Sequence, residues 1–281
     1  MSDPTFMDLF SGAGGLSLGL SQAGWRCLLG IDNWPDAVAT YRSNFHDHPV
    51  LLGDIESLST ATLAQSMADR PDWIVGGPPC QGFSTIGKRK RNDPRNRLVY
   101  EFRRVVRELR PEGFVIENVL GLKDMRFEAE IRHLFEQIGY RVSFHVLRAA
   151  DYGVPQLRRR VVFVGHSQRG DAAAPRACCP ESEYVTVRDA IGDLPRLGPG
   201  EAARTYSQPP ASAYQERMRE GSSVLQGHIA SNHPPALVKA ISFIPDGGNR
   251  RAIPDELQPK SGFHNSYSRL ASDRPAVAVS L

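Results

Sequence analysis

The chain has 281 residues, 34 Lys plus Arg against 31 Asp plus Glu, a formal net charge of +3, and 41% hydrophobic residues. These proportions lie near the globular average, which excludes disorder, collagen and coiled coil as the main organisation. No stretch approaches the roughly 18 consecutive apolar residues of a membrane span, and Met1-Ser2-Asp3-Pro4 is not the basic opening of a leader, so a soluble, cytoplasmic protein with no membrane partner is expected.

In chain order, Thr5 to Phe10 reads as a buried strand that turns through glycines into a helix from about Leu16 to Ala23. Cys27 to Ile31 is a second strand ending at Asp32, and Pro35 to Phe45 is helical. Trp73 to Val75 is a short strand stopping at Gly76-Gly77-Pro78-Pro79. Arg97 to Leu109 is a helix with Val99, Phe102, Val105, Val106 and Leu109 on one side. Gly113 to Ile116 is a strand ending at Glu117, Glu128 to Ile138 is helical, and Val161 to Val164 is a strand. Strand, turn, helix, strand is the signature of a parallel α/β sheet, in which ligands sit beyond the carboxyl ends of the strands. After about Gly165 proline and glycine become dense and periodicity weakens, apart from pieces near Val187 to Leu194 and Leu237 to Phe243; a smaller irregular region with short strands is expected there.

The first chemical cluster is Asp8 to Leu20, DLFSGAGGLSLGL. Glycines at the start of a helix let backbone approach a ligand closely, although such a turn is as often a plain connection. The spacing matches neither G-x-G-x-x-G nor the phosphate-binding loop, and no lysine follows the last glycine, which fits an adenosyl ligand without a phosphate chain. Asp32 ends the second strand, where a carboxylate accepts from ribose hydroxyls or, equally, caps the helix beginning near Pro35. Asp54 in Gly53-Asp54-Ile55 is a turn residue or a ligand acceptor.

Gly76 to Ser84, GGPPCQGFS, sets Cys80 on a rigid loop at the carboxyl edge of the sheet. A core thiol has no need of such a turn; a nucleophilic one must be held near its target and near positive charge, for which Arg158 and Arg160 are candidates. Of the other cysteines, Cys27, Cys178 and Cys179, none joins Cys80 in a CxxC or Cys/His comb, so neither a disulfide framework nor a metal is expected. Downstream, Lys88, Arg89, Lys90, Arg91, Arg95 and Arg97 form a basic run with only Asp93 opposing it; it is a solvated face or a loop that closes over a polyanion. Glu117 ends an apolar strand, where a partly buried carboxyl can hold and donate a proton or serve in a cap or salt bridge. In Asp151 to Gly165, DYGVPQLRRRVVFVG, Arg158 and Arg160 share a face if that segment is extended, with Arg159 opposite.

Together and in this order, these clusters resemble the DNA (cytosine-5)-methyltransferase family: DLFSGAGG its first S-adenosylmethionine motif, PPCQGFS its nucleophile loop, ENV its glutamate motif and GVPQLRRR its QxRxR motif. VTVRDAIGDLP (Val185 to Pro195), IPDGGNRR and YSRLASDRPAVAVSL also look like family sequence, leading into and including target recognition. The resemblance implies a Rossmann-like S-adenosylmethionine-dependent sheet over residues 1–168 and a partial target-recognition region over 169–281. It implies cofactor contacts from Phe10, Gly12, Gly14, Gly15, Leu16, Asp32, Asp54, Ile55 and Pro79, and catalysis by Cys80 as nucleophile, Glu117 as proton donor at N3, and Arg158 and Arg160 orienting the base. Double-stranded DNA is the implied partner, met by Gln81, Ser84 and the basic run from Lys88 to Arg97, with the target cytosine flipped out of the duplex. Two departures stand out: Arg159 occupies a QxRxR position that is often acidic, and no match to the family's last, GN-containing helix precedes Leu281, so a second polypeptide supplying that part is one expectation and a truncated product the other. A restriction-modification enzyme is the first reading; a tRNA cytosine-5 methyltransferase and a non-catalytic subunit that binds cofactor or DNA are the alternatives.

Overall fold

The computed structural model describes residues 3–79, 97–119, 125–167, 173–259 and 267–278. The chain divides into two compact units, one of Met1–Leu147 with Arg159–Pro175 and one of Arg148–Arg158 with Arg176–Leu281. The segment Arg148–Arg158, which a single cut near residue 168 assigns to the first unit, therefore belongs with the second.

The first unit is a seven-stranded sheet of order β3-β2-β1-β4-β5-β7-β6. Its strands are β1 (Thr5–Leu9), β2 (Arg26–Asp32), β3 (Val50–Leu52), β4 (Trp73–Gly76), β5 (Gly113–Val119), β6 (Arg141–Arg148) and β7 (Arg159–His166). Strands β3 to β5 in that order are parallel, and β7 runs antiparallel to β5. Every residue of β1 is buried, as expected for a central parallel strand covered on both faces. The helices are α1 (Gly15–Gln22), α2 (Pro35–Asn44), α3 (Thr60–Gln65), α4 (Arg97–Leu109) and α5 (Met125–Glu136). In α4 the predicted stripe Val99, Phe102, Val105, Val106 and Leu109 is buried, and Phe102 packs with Phe114 of β5 and Phe135 of α5 in the main core. A second, smaller cluster of Phe6, Cys27 and Val75 is covered by Leu16 and Leu20 of α1 with Trp25 and Trp73.

β5 runs past the predicted end at Ile116, so Glu117 lies inside the strand and not beyond it, because β7 pairs with it from Gly113 to Val119. β3, α3 and β6 carry no sequence signal strong enough to predict: three residues, six residues, and an edge strand with Val146 half exposed.

The second unit contains α6 (Val187–Ile191), α7 (Ala213–Arg219) and α8 (Pro235–Ser242). The expected short strands are replaced, among the described residues, by isolated bridges at Gln156↔Ala276, Ala202↔Ile229 and Asn249↔Ser268, since prolines lack the donor a ladder requires. α6 opens on a capping box in which Thr186 and Asp189 satisfy each other's backbone, and the hydrogen bond from the Thr186 hydroxyl holds the Asp189 carboxyl below its usual range. Val187 N and Arg188 N donate to Arg274 O and Ser272 O, both at 3.0 Å, and Asp246 accepts from Ser272 N and Oγ. The segments VTVRDAIGDLP, IPDGGNRR and YSRLASDRP are thus tied to one another. Asp193, almost fully buried, pairs with Arg219, whose guanidinium lies 3.6 Å from the centre of the Tyr206 ring.

Candidate active site at the carboxyl edge of the sheet

Register across the parallel strands places the functional positions in one row. Leu9 pairs with Ile31 on one side and Gly76 on the other, and Gly76 pairs with Ile116. One residue further along each strand stand Asp32, Phe10, Gly77 and Glu117. At about 4.8 Å per strand the row spans about 15 Å, room for a nucleoside beside a base. Gly76 is demanded by this geometry, because a Cβ there would collide with the Leu9 carbonyl.

At one end of the row the chain turns from β1 into α1 with Phe10, Gly12 and Gly14 all at positive φ (60°, 56° and 93°). Phe10 is the costly member, since only glycine adopts this region freely. Asp32 ties the turn down: its Oδ2 accepts from Gly12 N at 2.8 Å and its Oδ1 from Trp34 N at 2.9 Å. The cap of α2 is Trp34, so Asp32 is not the helix cap. A Cβ on Gly12 or Gly15 would meet nothing within 4 Å, leaving open space over backbone N–H groups at the helix start. Leu16 packs beneath, toward Phe6 and Val75. Exposed Asp54 accepts from Glu56 N. Ile55 is buried in the main core. The sequence reading missed Trp34, a 63% exposed indole beside Asp32; an aromatic two positions after an acidic strand end is the signal that marks it.

At the other end, Glu117 and Arg160 come together. Glu117 lies opposite Val162, and Arg160 two residues away on the same face of the antiparallel ladder, a diagonal within reach of long side chains. Arg160 Nε sits 2.6 Å from Glu117 Oε1, with side chains 21% and 38% exposed, and a Cβ on Gly77 would lie 3.2 Å from Glu117 Oε2. Asn118, on the opposite face and buried, donates from Nδ2 to the Pro78 carbonyl at 2.9 Å and accepts from Val119 N at 2.8 Å. The loop before Cys80 is therefore tied to the strand that carries Glu117. Pro79 is partly exposed at its end. Arg158 belongs to the second unit, where its carbonyl accepts from Ala149 N; it precedes β7, which begins at Arg159. Cys80, Gln81, Ser84, Lys88, Arg89, Lys90, Arg91 and Arg95 lie outside the described residues, while Arg97 is exposed at the start of α4. Cys27, by contrast, is buried, and burial pushes its thiol up to about 11, the state of an inert core cysteine.

A sheet in which β7 runs antiparallel to β5, with a glycine turn opposite a carboxylate at one end and an acid–arginine pair at the other, defines an α/β protein with a candidate active site along the carboxyl edge of its strands. Residues 4–239 match the C-5 cytosine-specific DNA methylase family. Similar proteins include the type II methyltransferases M1.HphI of Haemophilus parahaemolyticus, 43% identical over 98% of this chain and 70% of that one, and M.DdeI of Desulfomicrobium norvegicum, 39% identical over 93% and 66%. In fold the chain is similar to a structure described as a prophage-encoded DNA modification methyltransferase from E. coli (TM-score 0.78, 24% identity, 98% of this chain and 82% of that one). It is also similar in fold to the Dnmt2 methyltransferase of S. pombe (0.54, 21%, 84% and 79%). The chain belongs to the C-5 cytosine-specific DNA methylase family; it is a DNA (cytosine-5-)-methyltransferase whose methyl donor is S-adenosylmethionine. The open cradle at Gly12 and Gly15 and the Asp32 carboxylate, whose oxygens each retain a lone pair, fit that donor.

Proposed function

We propose that this chain methylates C5 of cytosine in duplex DNA, through a covalent adduct with an extruded base, as the modification enzyme of a type II restriction-modification system in the cytoplasm. The observation that carries the reading is the Glu117–Arg160 pair at 2.6 Å, set beside Gly77 on the strand tied through Asn118 to the loop that leads to Cys80.

In this reading Gly12, Gly14 and Gly15 bring backbone N–H groups to the cofactor. Asp32 accepts from its ribose hydroxyls, the Trp34 ring lies against its adenine, and Phe10, Leu16, Asp54, Ile55 and Pro79 complete the pocket. When bound, the cofactor supplies an electrophilic methyl on a sulfonium. The protein's task is to make a poor carbon nucleophile reactive. The Cys80 thiolate adds to C6 while Glu117 gives a proton to N3, which moves the electron pair to C5. Arg160 orients Glu117 against the ring, and Arg158 contributes positive charge from the segment before β7. After transfer the C5 proton is lost to solvent, the thiolate leaves C6 and N3 returns its proton to Glu117, which restores the aromatic ring and the starting state of the acid. C6 is buried in a stacked duplex, so the base must leave it, at a cost of a few kcal/mol. Gln81, Ser84 and the basic residues from Lys88 to Arg97 offset that cost through phosphate and base contacts, and the second unit reads the target sequence.

The test is methyl transfer from labelled S-adenosylmethionine to duplex DNA and to tRNA, with Cys80→Ala as control, run with and without the product of the following reading frame. Transfer to DNA that Cys80→Ala abolishes, and trapping on duplex carrying 5-fluorocytosine, are expected. Transfer to tRNA alone, or cofactor binding with no turnover under either condition, would overturn the reading.

A further inference from the structure

Beneath the glycine turn lies a polar node that the chemistry above does not use. Tyr41 of α2 is fully buried. Its hydroxyl donates to Ser17 Oγ at 2.8 Å, and Ser17, also fully buried in the first turn of α1, donates to Asp8 Oδ2 of β1 at 2.6 Å. The same hydroxyl meets His48 Nε2 at 2.7 Å and lies 3.7 Å from Cys27 Sγ, and His48 Nδ1 is 2.9 Å from Asp47 at the surface. The Tyr41 ring is seated where glycines admit it: a Cβ on Gly14 or Gly30 would lie 3.0 or 2.9 Å from it. A phenyl ring would fill this space equally well. The hydroxyl is therefore explained by the node and not by packing, since a buried hydroxyl is tolerated only when satisfied.

The node joins three elements at the place where the turn's geometry is decided. α1 has no side-chain cap and no acidic residue in its first turn, and its cap, Gly14, is left-handed; Ser17 ties that turn to β1 by a side-chain hydrogen bond, beside the apolar packing of Leu16 toward Phe6. We propose that Tyr41, acting through Ser17, is a positioning residue for the cofactor turn: its hydroxyl locks the first turn of α1 against Asp8 and thereby sets affinity for the cofactor. The proposal rests on the reading of that turn as the cofactor site. Asp8 supports it: burial raises its carboxyl, its Oδ1 has no partner among the described residues, and the hydrogen bonds that orient the group come from Ser17, from its hydroxyl and from its backbone.

The experiment is calorimetric titration of S-adenosylhomocysteine into the wild-type chain, Tyr41→Phe and Ser17→Ala, with thermal midpoints and steady-state kinetics alongside. Each variant is expected to raise Kd about tenfold. The double variant should go little beyond either single one, as for groups acting through one chain, and KM for the cofactor should rise while kcat and KM for DNA stay unchanged. A purely structural node would lower the thermal midpoint and the titrated stoichiometry with Kd unchanged, and that result in either folded variant overturns the proposal. Wild-type chain that binds no S-adenosylhomocysteine would instead defeat the reading of the turn itself.

Discussion

Asp8 is a carboxylic acid almost wholly removed from water, and burial pushes it up to about 7 against the hydrogen bonds it receives from Ser17, with the nearby Asp32 charge adding to the rise. In the unfolded chain the same group ionises near 4, so between pH 4 and 7 the folded state binds the extra proton. Its contribution to stability is full below about pH 4, declines as pH rises through that window, and is gone above about 7. Asp8→Asn keeps an acceptor for Ser17 and cannot ionise. Its stability relative to wild type is therefore expected to climb between pH 5 and 7, by at most about 1.4 kcal/mol per pH unit, in urea melts at fixed pH; parallel curves would refute this. At the other end of the row, under the proposed mechanism, Glu117→Gln removes the group that protonates N3 and is expected to lower kcat about 100-fold or more with cofactor affinity unchanged. Arg160→Ala frees the same carboxyl, so the double variant should lose much less than the product of the two single losses. The pair itself is not legible in the sequence. Glu117 and Arg160 are distant along the chain; taken alone, Glu117 reads equally well as a capping or salt-bridged carboxyl, and Arg160 as an ordinary surface arginine.

At the scale of elements, β5 is the strand that organises the chemistry. Pairing with β7 carries it through Val119, so successive residues alternate faces: Glu117 turns toward Gly77 and Arg160, and Asn118 turns inward to the Pro78 carbonyl. Asn118→Ala removes that tie in a buried setting. A loss of about 1 to 3 kcal/mol is expected, seen as a lowered denaturation midpoint, together with a fall in kcat larger than any change in cofactor affinity. Equal effects on both would show that the tie serves the whole edge and not the loop before Cys80. Where elements were legible, periodicity made them so: the stripe on α4 and the apolar runs of β1 and β2 are buried as patterned. β3 and α3 are too short to carry a period, although Ser59, which caps α3 by accepting from Thr62 N, is a local signal that a closer reading would find. The length of β5 was hidden because a polar pair, Glu117-Asn118, interrupts its apolar run, and polar residues inside a strand look like its end until the partner strand is known.

For the molecule as a whole, a net charge of +3 is too small to hold a polyanion, so attraction to DNA must be local. Replacing Lys88, Arg89, Lys90 and Arg91 by alanine is expected to weaken binding about equally for all duplex sequences and to flatten the slope of log K against log salt by about 0.9 for each phosphate contact removed. A changed sequence preference with an unchanged slope would reassign those residues to base reading. The second unit differs in kind from the first. Its core is a small cluster around Ala240, Ile244 and Ile253, supplemented by the buried Asp193–Arg219 pair. Its order comes from specific polar ties more than from layered packing, which is why composition predicted its irregularity but not its contacts.

The sequence by itself determined the class of sheet, the place of the glycine turn, the family and the identity of the candidate nucleophile. These depend on local spacing and on apolar periods that every helix and strand must repeat. Only the tertiary structure decided which groups meet: Arg160 with Glu117, Asp32 with Gly12 N, Tyr41 with Ser17 and Asp8, and the Ile55 side chain with the main core. Such pairings depend on strand order and register, which bring together residues that no local pattern relates.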